Sequence, residues 1–256
     1  MRNGIGGVIR RIALLAVACV LWGSLSLSGC GPGGDAVVTF PDPNLDAAIR
    51  GALNKSSGPI YASELASLAS LGAYEKGIHD LWGLQYCTNL EGLGLAFNGM
   101  SDISPLADLT NLRALDLQFN AISDISALAN LTNLTYLDLW ANRVSDVSPL
   151  SNLTSLTDLN LSVNLIANIS ALASLTNLAY LDLEENQISD TSSLASLTSL
   201  TYLDLKNNQA IDISPLVENT GLSESDSVEL AGNPLSADSI DIYIPELEAR
   251  GVTVYY

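Results

Sequence analysis

The sequence predicts an α/β solenoid, a stack of short coils that each lend one strand to a common parallel sheet. Three observations predict it. First, Asn98, Asn120, Asn142, Asn164, Asn186 and Asn208 recur every 22 residues without a slip. Second, each asparagine closes the pattern LxxLxLxxN, as in Leu112, Leu115, Leu117 and Asn120. A segment such as Ile122, Ser123, Asp124 and Ile125 comes after it. Third, Leu115 and Leu117 flank Asp116, a period of two that turns both leucines inward and the aspartate outward. The inward leucines of one coil are too few for a core, but stacked coils bury them continuously.

In chain order, residues 1–29 open with Arg2, Arg10 and Arg11, continue through the apolar run Ile12 to Trp22 and end in small residues, the order of an export signal. Leu27, Ser28, Gly29 and Cys30 resemble a bacterial lipobox, which implies cleavage before Cys30 and acylation of that cysteine. Residues 30–37 then read as the lipidated cysteine and a flexible tether containing Gly31, Pro32, Gly33 and Gly34.

Residues 38–65 are expected to form a helical cap, because such a stack would otherwise expose leucines at its end. Asn44 to Leu53 puts Leu45, Ile49 and Leu53 on one face, with Asp46 and Arg50 paired at i,i+4. Ser63 introduces a second expected helix carrying Leu65, Leu68 and Leu71. Residues 66–219 hold the repeats, a degenerate coil and then six regular ones. In the degenerate coil Cys87 takes the column of Leu109 and Leu131 and reads as apolar filler. Ser104 and Pro105, like Ser148 and Pro149, fit a hydroxyl cap and a proline opening a short helical turn. Residues 220–256 form an irregular last repeat and cap. There Asn233 comes 25 residues after Asn208. A short helix from Ser239 to Ile244 is expected to stop before Pro245, a second turn to end at Gly251, and Val252 to Tyr256 to form an edge strand.

The pattern resembles the leucine-rich repeat, in the 22-residue form of the internalins, from about Val38 onward. The resemblance implies a right-handed horseshoe with a concave parallel β-sheet, convex 3₁₀ turns, a helical N-terminal cap and a helix-strand C-terminal cap. The chain lacks the long extension and wall-anchoring tail expected of a covalently attached internalin; from the lipobox, attachment is expected through lipid on Cys30, in the bacterial cell envelope or at the cell surface. The asparagine column is read as structural, each amide serving the backbone of neighbouring coils.

Composition narrows the function. The 256 residues carry 28 acidic and 10 basic side chains, a net charge of -18. Loss of three arginines on cleavage leaves 28 against 7, or -21. Nothing in that balance replaces the counterions of a nucleic acid. One histidine, His79, sits in a polar turn, and no GxSxG, HExxH or P-loop signature is present. A non-catalytic, monomeric protein without metal or cofactor is expected.

Function in a solenoid lies where the repeat does not dictate the residue. Three outward columns cross the strands. The first holds Gly92, Ala114, Tyr136, Asp158, Tyr180 and Tyr202. The second holds Gly94, Asp116, Asp138, Asn160, Asp182 and Asp204, joined by Glu229. The third holds Ala96, Gln118, Trp140, Ser162, Glu184 and Lys206. Phe97 and Phe119 stand just past the strand. Aromatic residues beside acids suit a protein interface. Contact is therefore expected from Phe97, Asp116, Phe119, Tyr136, Asp138, Trp140, Asp158, Tyr180, Asp182, Glu184, Tyr202 and Asp204, against a protein partner with a basic surface. The alternatives are a solvated acidic face with ordinary cross-strand packing, a carbohydrate ligand stacked on the same rings, and a scaffold without ligand. A calcium ladder is less well supplied, since one column offers too few oxygens.

Overall fold

The computed structural model describes residues 35–256, so the expected export signal and the expected acylation site, Cys30, lie outside the described residues. The N-terminal cap begins with β1 (Val37–Val38), which pairs antiparallel with β2 (Ile60–Tyr61). Between them runs α1 (Pro43–Ala52), which buries Leu45 and Ile49. Asp42 starts α1 by accepting the backbone N–H groups of Asn44 and Leu45 at 2.8 and 3.1 Å. Its other oxygen accepts from His79 and Asp80, tying the cap to the first coil. Burial pushes the Asp42 pKa up, but these four donors outweigh it and hold the carboxyl below its ordinary value.

The second cap helix is shorter than the sequence suggests. α2 spans Ala62–Leu65, and Leu71 lies instead in the first strand of the main sheet. Pairing wins there, because Leu71 stands in register with Leu93. The strands are β3 (Ser70–Gly72), β4 (Gly92–Gly94), β5 (Ala114–Asp116), β6 (Tyr136–Asp138), β7 (Asp158–Asn160), β8 (Tyr180–Asp182), β9 (Tyr202–Asp204), β10 (Ser227–Glu229) and β11 (Thr253–Tyr255). They form one parallel sheet in sequence order, nine strands among the described residues.

Short 3₁₀ turns return the chain on the far side, for example Ser104–Leu106, Ser126–Leu128 and Ser148–Asn152. The expected serine hydroxyl caps are not the device used. The acid two residues earlier accepts the serine N–H instead: Asp102, Asp124, Asp146, Asp190 and Asp212 bond Ser104, Ser126, Ser148, Ser192 and Ser214 at 2.8–2.9 Å. A carboxylate there meets the orphan donors of the turn more strongly than a hydroxyl could. The turn acids thus have a structural task.

Inside the coils the leucine columns are closed to solvent, and Cys87 is fully buried among them. Burial pushes its thiol up to about 12, leaving it an inert filler. The asparagines stitch one coil to the one before. Asn164 Nδ2 donates to the carbonyls of Leu161 and Ser162 in its own coil and of Leu139 in the preceding one, at 3.0–3.1 Å. Its Oδ1 accepts the N–H of Val144 at 2.9 Å. A second asparagine ladder runs at the same 22-residue spacing. Asn89, Asn111, Asn133 and Asn177 donate to the carbonyls of Ala66, Thr88, Thr110 and Thr154 at 2.8–2.9 Å.

The last repeat keeps phase despite its extra residues. The insertion is taken up before β10, where Asp226 accepts the Ser223 N–H and Ser225 turns at φ 77°. Asn233 still donates to Leu205 and Leu230 at 2.8 Å. Pro245 does not stop the helix there. A π turn, Ser239–Tyr243, runs directly into α4 (Ile244–Ala249), with Pro245 in its first turn, where a missing N–H costs little. The preceding helix, α3 (Ser214–Glu218), takes the place of a 3₁₀ turn. β11 then covers β10 at the end of the sheet.

Candidate binding face

The strict register places each outward column on one line. Tyr136 pairs with Asp158, Asp158 with Tyr180, and Tyr180 with Tyr202. Asp116 pairs with Asp138, and Asp182 with Asp204, which pairs in turn with Glu229. The first and second columns therefore share one face, as the period of two requires.

The aromatic residues form two stacks. Tyr74, Phe97, Phe119 and Trp140 run continuously along the strand ends, with ring centroids 5.0, 4.3 and 4.5 Å apart. Tyr180 and Tyr202 lie parallel at 4.8 Å. Tyr74 is not among the contacts expected from the sequence, although it stands 22 residues before Ala96 in the third column. The outward columns expected from the sequence begin only at the first regular coil, and so leave it out.

Phe97 and Phe119 sit at φ 55° and 51°, and Val163 in the same column at 55°. Left-handed backbone disfavours side chains with a bulky Cβ. Ala141, Glu185 and Asn207 occupy equivalent positions, so stacking does not require an apolar residue there. The row continues past the rings as Val163 and Leu165, both exposed.

The acids behave differently from a solvated surface. Asp138 and Asp204 are each only 7% exposed, leaving little of either open to a partner. Each carboxylate folds back on its own strand end. Asp138, Asp182 and Asp204 accept the N–H groups of Trp140, Glu184 and Lys206 at 2.8–3.0 Å. Tyr136 and Tyr202 add hydroxyl donors to Asp138 and Asp204 at 3.3 and 3.2 Å. Burial pushes all three acids up despite these bonds, Asp182 to about 6, with Asp204 and Glu184 adding repulsion.

The third column is not wholly free either. Ala96 and Ser162 are buried beneath their neighbours. Glu184 pairs with Lys206 at 2.6 Å. Asp158 and Asp116 stay half-open. Among the described residues, no group of three or more metal-ligating side chains converges, and His79 is exposed with Nδ1 on the Gly99 carbonyl.

This fold and face define a leucine-rich-repeat protein. The family described as leucine-rich repeats in two copies matches residues 88–130, 132–174 and 176–218, half of the chain, and the chain belongs to that family. Within it the chain is internalin-like. It is 38% identical to an internalin C2 of Listeria monocytogenes, with a TM-score of 0.74 over 84% of this chain and 94% of that one. An internalin, InlF, of the same organism is 34% identical, with a TM-score of 0.75 over 84% of this chain and 68% of that one. A leucine-rich-repeat protein of Leptospira interrogans shares the fold at 24% identity, with a TM-score of 0.65 over 75% of this chain and 50% of that one. No curated protein matches the chain. Such folds are typically non-catalytic modules for protein interaction.

Proposed function

We propose that the chain is a lipid-anchored protein of the bacterial cell envelope whose concave face binds another protein. The observation that carries the reading is the unbroken stack from Tyr74 to Trp140 on an open face. The exposed parts of the stacked rings form a continuous aromatic strip, the kind of surface enriched at binding hot spots. Tyr136, Tyr180 and Tyr202 extend the surface toward the acids, which favour a basic partner. Phe97, Phe119, Asp116, Asp158, Asp182 and Glu184 complete the proposed contact, with Asp138 and Asp204 bracing it from below.

The test is crosslinking capture from intact cells that express the full chain. Replacing Tyr136 and Trp140 together by alanine should abolish capture while circular dichroism shows an unchanged fold. Undiminished capture would defeat the reading. The anchor is tested separately: Cys30→Ala should move the protein out of the membrane fraction and remove the acyl mass from its N-terminal peptide.

A further inference from the structure

The first outward column is interrupted between β6 and β8. Tyr136 and Tyr180 stand two strands apart with Asp158 between them. Together with Asp138, Leu159 and Asn160 they line one open depression of about 260 Å³. Strands two apart are separated by ~9.4–9.8 Å. A small cation midway between rings at that spacing lies within ~6 Å of both, the range in which a ring face attracts positive charge.

Contacts around the slot hold its walls. Tyr202 stacks on Tyr180 at 4.8 Å, and the hydroxyl of Tyr136 donates to Asp138 at 3.3 Å. At its base Asp158 accepts the Thr157 hydroxyl at 2.6 Å. Among the described residues no cation pairs with Asp158, and Lys206, on the same face, is already engaged by Glu184. Burial, then the charges of Asp138 and Asp116, push Tyr136 up to about 12. Burial, then Asp182 and Asp204, do the same for Tyr180. Both phenols therefore stay neutral, and the acids around them make the opening attractive to positive charge.

We propose that this slot receives a lysine or arginine side chain of the bound protein, held between the faces of Tyr136 and Tyr180 over the Asp158 carboxylate. Two rings flanking an acid that no cation pairs would meet a cation on three sides. The proposal rests on the reading of the concave face as a protein-binding surface.

The experiment is calorimetric titration of the full chain with a hexa-arginine peptide and with its neutral isostere, hexacitrulline. Hexa-arginine should bind at least tenfold more tightly. Asp158→Asn, and Tyr136→Leu with Tyr180→Leu, should each weaken it about tenfold, whereas Tyr136→Phe keeps the ring face and should change affinity less than twofold. Equal weakening by Glu229→Gln, at the far end of the same face, would mean diffuse charge and overturn the slot, as would equal binding of hexacitrulline. Crosslinking capture from cells separates the two readings. Capture lost with Phe119→Ala and Trp140→Ala but kept in the slot variants removes the slot alone. Capture kept in both sets removes the concave reading as well, and capture lost in both supports the proposal.

Discussion

A carboxylate on a parallel strand meets its own kind in the next strand, about 5 Å away, and the pair repels by up to ~1 kcal/mol if water screens it. The aspartates answer by turning onto the backbone two residues ahead, which fixes where each strand ends. Their outward direction was legible from the alternation in Leu115, Asp116 and Leu117. The burial of Asp138 and Ser162 was not, because it depends on the reach of neighbouring side chains, which a column of letters does not convey. The left-handed positions allow a direct check. Val163 at φ 55° is β-branched where asparagine would be tolerated. Val163→Asn should stabilise by about 1 kcal/mol in urea unfolding. Asn164→Ala one residue on should cost ~3 kcal/mol or more, because buried backbone groups lose their partners. Asn177→Ala, in the exposed second ladder, should cost nearer ~1 kcal/mol.

Among the elements, the regular coils were readable because one rule repeats, and the ends were not because no repetition averages out competing preferences. The segment from Ser63 has helical spacing and repeat phase at once, and strand pairing claims Leu71. Pro245 looked like a stop, yet a proline in the first turn of a helix leaves the later turns intact. Gly221 illustrates how tightly the last coil sits. It occupies the column of Asn177 and Ser199, and a Cβ there would fall 1.9 Å from the Thr198 carbonyl oxygen. Gly221→Ala should therefore push the last coil away and lower the melting temperature by several degrees, at ~2–4 °C per kcal/mol for a chain of this size. Gly51→Ala, with open space around its Cβ, is the control and should leave it unchanged or raise it.

At the scale of the molecule two sets of acids oppose each other. Burial raises Asp182 from 3.8 to about 6, so across that window the folded chain binds more protons than the unfolded chain and stability falls as pH rises. Asp138, Asp204 and Glu229 are shifted in the same direction. Asp42, Asp124, Asp146 and Asp190 are shifted the other way by their backbone donors, and their contribution is lost as pH drops below about 3.8. Thermal melts should thus peak near pH 4–5, above the value at pH 7, and fall steeply below pH 3.5. A maximum at neutral pH would contradict the buried acid column.

The internal asparagine ladder also has a direction. Each of these amides that crosses between coils reaches toward the N-terminus: Asn142, Asn164 and Asn186 to a carbonyl 25 residues earlier and an N–H 20 residues earlier, and Asn233, past the insertion, to a carbonyl 28 and an N–H 23 residues earlier. A nascent or translocating chain that emerges N-terminus first therefore always has the receiving turn in hand before the amide that locks onto it arrives. Assembly can proceed like a ratchet from the helical lid, each tooth engaging a surface already made.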